Sequence, residues 1–264
     1  MKFELRNVSC GYSAGAPVVR NVSMDLQDGD VCCILGPNGV GKTTLFKTIL
    51  NLLRPLEGNV YIDGEDTSKW ARRKLSKYMA YVAQAHTPAF PYLVREVAML
   101  GRISRIGAMS QPSRKDHEIV EQVLEDFDLS HLRDVPYSEI SGGERQLLMI
   151  ARSVCQQPAM LVMDEPTANL DYGNMVHVMQ HIRKLAASGL CVVFTTHMPD
   201  QAFLCRAKTA LILRDQPVIF GSADHVITEK NLFETYRTRI QILEVISADN
   251  SPLKVVVPRL ADNV

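Results

Sequence analysis

Nine consecutive residues, Gly36-Pro37-Asn38-Gly39-Val40-Gly41-Lys42-Thr43-Thr44, constrain this chain more than any other stretch. They match the phosphate-binding loop pattern of Gly, four residues, Gly, Lys, then Ser or Thr. The apolar run Val31-Cys32-Cys33-Ile34-Leu35 before them reads as a buried strand, and Thr44-Leu45-Phe46-Lys47-Thr48-Ile49-Leu50 begins a helical pattern. In that order the glycines let the backbone curl until its N–H groups face phosphate oxygens, and the helix adds the positive end of its dipole. Lys42 can reach the β- and γ-phosphates, and the Thr43 hydroxyl can ligate Mg²⁺. A flexible glycine-rich turn would leave the Lys-Thr pair at the helix start unexplained. Nucleotide binding is therefore the expectation.

The remainder of the composition narrows the class. The 264 residues suffice for one large domain or a core with a substantial insert. Lys plus Arg and Asp plus Glu both number 29, so the basic surplus of a nucleic-acid binder is missing and no nucleic-acid partner is expected. No apolar run approaches the roughly 18 residues of a membrane span. Met1-Lys2-Phe3-Glu4-Leu5-Arg6 lacks a secretory apolar region. The six cysteines show no Cys-x-x-Cys pairing, and at least Cys32, Cys33 and Cys191 lie in apolar runs; they read as buried free thiols in a reducing cytosol. A soluble cytosolic chain is expected, with membrane association through a partner.

Along the chain, Lys2–Val8, Val18–Leu26 and Asn59–Ile62 read as strands, with turns at 11–15, 27–30, Glu57-Gly58 and Asp63-Gly64. Tyr12 in the first turn is either an exposed turn tyrosine or a stacking platform for adenine. The helix from Lys42 should end near Leu53, before Arg54-Pro55. A basic helix around Lys69–Lys77 and a strand Tyr78–Val82 lead to Gln84, whose carboxamide could contact Mg²⁺ and the attacking water or could be a surface group. From about His86 to Ile140 strands give way to helical periodicity, at Leu93–Gly101 and Asp116–Phe127, which reads as a helical subdomain inserted into the core. Arg102, Arg105, Arg114 and Lys115 cluster in its linker, either as a solvated loop or as a contact for a membrane partner.

Ser141-Gly142-Gly143-Glu144 opens the helix Arg145–Cys155. Ser-x-x-Glu is a capping box, and two glycines inside it expose backbone N–H groups to an anion; the two roles are compatible. The apolar strand Met160–Met163 delivers Asp164 and Glu165 at its end. Asp164 fits the second Mg²⁺ element of phosphate-loop NTPases, and Glu165 could accept a proton from attacking water. Thr167–Asp171 is a turn, Asn174–Ala186 a helix and Leu190–Thr195 a strand followed by His197. That histidine is either a structural residue or a ligand contact at the sheet edge. Residues 222–264 read as an appended tail with one helix, Glu229–Tyr236, and strands at Ile240–Ile246 and Leu253–Val257.

Together these pieces resemble the ATP-binding subunits of ABC transporters over essentially the whole chain. Gly36–Thr44 resembles the Walker A motif, Met160–Glu165 the Walker B motif with its catalytic Glu, Gln84 the Q-loop glutamine, and Ser141–Gln146 the signature sequence. Ala168–Asp171 resembles the D-loop, His197 the switch histidine and Tyr12 the adenine-stacking aromatic. The family pattern Leu-Ser-Gly-Gly-Gln is Ile140-Ser141-Gly142-Gly143-Glu144 here, and a carboxylate at that place would repel a triphosphate unless it bends back to the helix N-cap. Phe90–Arg102 and Gly221–Tyr236 look like the corresponding segments of importers for iron-siderophore, haem, cobalamin and molybdate.

The resemblance implies an α/β fold: a P-loop NTPase (RecA-like) core with an N-terminal antiparallel β subdomain and an inserted α-helical subdomain. The implied division is a core at 1–85 and 156–221, a helical insert at 86–155 and an extension at 222–264. It also implies ATP and Mg²⁺ as bound groups, with Lys42, Gln84, Glu165 and His197 catalytic and Thr43, Gln84 and Asp164 on the metal. Tyr12, Gly36, Pro37, Asn38, Gly39, Val40, Gly41, Lys42, Thr43 and Thr44 would contact nucleotide, as would Ser141, Gly142, Gly143, Glu144 and Asp171. A head-to-tail homodimer with two ATP at its interface would then dock on integral membrane permease subunits and serve a substrate-binding protein indirectly. Its place is the cytoplasmic face of the inner membrane, and its function ATP-driven import. Alternatives of another class are a non-transport ABC ATPase and a low-turnover regulatory nucleotide-binding module.

Overall fold

The computed structural model describes residues 1–13, 15–82, 92–106, 110–246, 250 and 252–259. The chain divides into two compact units, residues 1–68 with 193–264, and residues 69–192. In the first unit, β1 (Lys2–Cys10) pairs antiparallel with β2 (Val19–Gln27), Phe3 opposite Leu26 and Leu5 opposite Met24. Those inward positions are buried while their neighbours face solvent, the period-2 alternation of a half-buried strand. β3 (Val31–Leu35) is buried at all five positions, as its unbroken apolar run requires. It runs into α1 (Lys42–Ile49), and β4 (Glu57–Ile62) then pairs with the free edge of β1, with the short β5 (Glu65–Asp66) beyond it.

The second unit begins with α2 (Arg72–Tyr78) and β6 (Met79–Val82), then α3 (Val94–Met99), α4 (Arg114–Asp126) and α5 (Gly142–Cys155). Buried Val94, Val97, Val120, Leu124, Leu148 and Ile150 lie on these three helices. β7 (Met160–Met163) pairs parallel with β6, and α6 (Tyr172–Ala187) follows. β8 (Cys191–Thr196) returns the chain to the first unit. There α7 (Asp200–Leu204), β9 (Lys208–Leu211), β10 (Ile219–Ser222), α8 (Ala223–Val226) and α9 (Glu229–Tyr236) come next. A hairpin of β11 (Ile240–Ile246) and β12 (Pro252–Pro258) closes the described chain. The first unit thus holds one antiparallel sheet, β2-β1-β4-β5, and a second run of strands β10-β9-β3-β8, with β3 and β9 parallel. All six cysteines are buried and none is in a disulfide, and burial pushes the thiol of Cys10 up to about 11.

Three local expectations are corrected by the structure. Glu57-Gly58 is not a turn before the strand but its first two residues. Gly58 has φ +71°, and a Cβ there would overlap the carbonyl oxygens of Arg6 and Asn7, where the β1–β4 register shifts between Arg6 and Ser9. The glycine serves a bulge, and a bulge and a turn make the same demand on sequence. Second, α1 stops at Ile49 instead of near Leu53. Asn51 takes a left-handed φ of 54°, and the N–H groups of Leu52 and Leu53 fold back to the Lys47 carbonyl.

Third, Arg102 is not a solvated linker group, although Arg105 stays exposed. Arg102 is only 6% exposed; it forms an ion pair with Asp116 at 2.8 Å and donates to the Cys155 carbonyl at 2.6 Å. Arg105 donates to the carbonyls of Gln156 and Gln157 past the end of α5 and to that of Lys77 in α2. These cations satisfy carbonyls that a helix end leaves without partners. Arg114 and Lys115 are exposed, as a solvated face predicts.

Candidate functional site

In the first unit the phosphate loop is stretched between β3 and α1. Gly39 and Gly41 have φ of +78° and +113°, a region that side chains with a Cβ rarely enter. A Cβ at Gly41 would also sit 2.5 Å from a Val19 methyl and 2.8 Å from one of Val18. The Gly36 N–H donates to the Thr196 carbonyl, tying the loop's start to the end of β8. Gly41 is the N-cap of α1 with no side-chain cap, and no acid stands in the first turn, so the positive end of the helix is left for an anion. Lys42 is 5% exposed, and its Nζ donates to the carbonyls of Gly36 at 2.9 Å and Pro37 at 3.2 Å, which holds the ammonium against the loop. Thr43 is exposed beside it and Thr44 is buried.

Tyr12 is 64% exposed. Lys47 Nζ donates to its hydroxyl at 3.2 Å, which lowers the phenol below its ordinary range while the ring stays open to solvent. His197 follows directly on β8 and is exposed. Tyr12, the loop and His197 are therefore features of one unit.

The second unit carries the acids and the signature. β7, fully buried, ends in the half-buried Asp164, whose N–H donates to the Val82 carbonyl, and Glu165. Glu165 has φ +44°, and its carbonyl accepts from the Ala168 N–H in a tight turn. A non-glycine residue held there stores of order 1 kcal/mol of strain, a cost met at functional turns. Ser141 caps α5: its Oγ accepts from the Glu144 N–H, and Glu144 Oε2 accepts from the Ser141 N–H at 2.7 Å. Hydrogen bonds from Ser141 hold the Glu144 carboxyl below its usual range. The carboxylate that replaces glutamine in the signature is thus turned back onto the helix N-cap.

Asp171 caps α6, accepting from the N–H of Asn174 at 2.8 Å and from its carboxamide at 2.7 Å, and these bonds lower its carboxyl. The same carboxamide lies against Gly143, where a Cβ would overlap it. Gly143 therefore lets the signature helix approach Asn174, which is itself bonded to Asp171. Asn174 was missed from sequence, although Asp-x-x-Asn is a helix-start signal that could have found it.

The Thr43 hydroxyl in the first unit and the Asp164 carboxylate in the second are each, taken singly, hard oxygen groups of the kind Mg²⁺ takes, and a magnesium ion needs few such groups when phosphate oxygens and water complete its shell. Gln84 lies outside the described residues, as do Phe90 and Pro91 of the importer-like segment. Among the described residues no helix is long and apolar enough to cross a membrane.

Residues 19–168 match the family model described as ABC transporter. An uncharacterized ABC transporter ATP-binding protein of Haemophilus influenzae is 36% identical over 92% of each chain. The molybdate import ATP-binding protein MolC of the same organism is 31% identical over 86% of this chain and 85% of its own length. Among solved structures, a transporter described as of the metal-chelate type, in an inward-facing conformation, superposes with a TM-score of 0.87 at 28% identity. That superposition covers 98% of this chain and 97% of the other.

Proposed function

The chain belongs to the ABC transporter family, and from that premise we propose that it drives import of a metal chelate, cobalamin, haem or an oxyanion. It is an ATP-binding subunit and an ATPase that powers transport, working with membrane permease components. The cargo class is supported by likeness to MolC and to the metal-chelate type transporter. One observation carries the site: a buried Lys42 held against a left-handed glycine loop at a helix end that no side chain caps.

In the proposed cycle Lys42 and the N–H groups of Gly36–Thr44 hold the β- and γ-phosphates, and Tyr12 stacks on adenine. Thr43, Gln84 and Asp164 would hold Mg²⁺, which when bound neutralises charge on the phosphate oxygens. Glu165 takes the proton of the attacking water, and His197 holds the γ-phosphate. Ser141-Gly142-Gly143 of a second copy, with Asp171, completes each site, so the working form is a head-to-tail homodimer. Closure on ATP and reopening after hydrolysis move permease subunits on the cytoplasmic face of the inner membrane, with a substrate-binding protein delivering cargo. A core of 1–85 and 156–221, a helical insert of 86–155 and an extension of 222–264 divide these tasks. Glu144, bonded back to Ser141, is compatible with turnover.

Glu165→Gln is expected to keep ATP affinity while slowing hydrolysis roughly 10²–10⁴-fold, the range for loss of a general base. Phosphate release at the wild-type rate by that variant would remove Glu165 from the mechanism.

A further inference from the structure

The segment that carries His197 is held at both of its ends by the C-terminal extension. At the first end, the Tyr236 hydroxyl donates to the His197 carbonyl at 3.0 Å. At the other, the Val256 N–H of β12 donates to Asp200 Oδ1 at 2.8 Å, and Asp200 opens α7. Only Met198 and Pro199 lie between. The Met198 N–H donates to Thr196 Oγ1, while the Thr196 carbonyl accepts from Gly36 of the phosphate loop. All of these groups belong to one unit.

The extension is tied to its own unit at several further points. α9 is anchored by Leu232, fully buried, and capped by Thr228, whose Oγ1 accepts from the Asn231 N–H at 3.2 Å. Asn231 in turn donates to the Val226 carbonyl at 2.8 Å. Arg237, at φ +56°, ends α9 directly after Tyr236 and turns the chain into β11. On the hairpin, Lys254 forms an exposed ion pair with Asp224. Burial raises the Tyr236 phenol well above its ordinary range, so the hydroxyl keeps its proton and remains a donor.

We propose that the C-terminal extension sets the position of the switch-histidine segment, with Tyr236 as the positioning residue that fixes the His197 main chain and Val256–Asp200 as its second hold. This rests on the reading of His197 as the γ-phosphate contact. A main-chain carbonyl held by a phenol restricts where the imidazole starts, and catalysis loses rate steeply with misplacement. The extension is thereby part of the catalytic apparatus and not an appended tail.

The test uses the full chain and compares Tyr236→Phe, His197→Ala and the double variant for kcat and KM of ATP hydrolysis. Tyr236→Phe keeps the ring and removes one hydrogen bond, so kcat should fall about fivefold with KM for ATP within about twofold. The double variant should be no slower than His197→Ala alone, because the phenol acts through the histidine. Asp200→Ala, which breaks the other hold, should lower kcat in the same direction. If His197→Ala abolishes turnover but Tyr236→Phe matches the wild type, the positioning role is overturned. Equal additional losses in the two backgrounds would overturn it as well, since a merely structural phenol adds its effect independently. If His197→Ala hydrolyses ATP at the wild-type rate, the underlying reading of His197 fails and this inference falls with it.

Discussion

At the scale of single residues, Lys42 and Glu144 contrast a charge proposed for a ligand with one bonded into the fold. Lys42 is buried, and the loop carbonyls it bonds orient its ammonium without neutralising it. Lys42→Ala should therefore weaken ATP binding by about 1.5–3 kcal/mol, tenfold or more in Kd, as titration with a fluorescent ATP analogue would measure. An unchanged Kd would detach the loop from the nucleotide. Glu144 stands where the family pattern has glutamine, yet its carboxylate bonds the Ser141 N–H. Both residues were legible in sequence because each acts through a local pattern, a loop-helix junction and a capping box. Gly58 was not, since a left-handed glycine declares itself without saying whether a turn or a bulge needs it.

At the scale of elements, the helical part of the second unit is pinned by a buried ion pair. Arg102 lies just past α3, Asp116 lies in the first turn of α4, and the Cys155 carbonyl ends α5. Removing the cation with Arg102→Ala leaves the Cys155 carbonyl without this donor and Asp116 with only its Ser113 bonds, and should cost about 1–3 kcal/mol in chemical denaturation. Hydrogen bonds from Ser113, and then Arg102, hold the Asp116 carboxyl at about 2 against an ordinary 3.8. A lowered folded-state pKa contributes stability that is complete above 3.8 and is lost as pH falls towards 2. Asp116→Asn should accordingly flatten the melting temperature over that acid interval relative to wild type. The periodicity of 116–127 located α4, but nothing in it foretold that a linker arginine would be an interior group.

At the scale of the whole molecule, the proposed working unit is larger than one chain. If Ser141-Gly142-Gly143 completes the nucleotide site of a second copy, a hydrolysis-impaired Glu165→Gln should sediment as a dimer with ATP and Mg²⁺ and as a monomer without either. A monomer with ATP and Mg²⁺ present would remove the composite site. Gly143 lies against Asn174 within its own unit, and Asn174 in turn bonds Asp171. The sequence by itself determined the inventory: the phosphate loop, the paired acids after β7, the capped signature helix and the strands that deliver them. It could do so because each depends on neighbours within a few residues, where spacing encodes geometry. Only the tertiary structure decided the burial of Arg102, the bulge at Gly58 and the hold of Tyr236 on His197. Those contacts join residues tens of positions apart, and a hydrogen bond between them leaves no periodicity for a sequence to display.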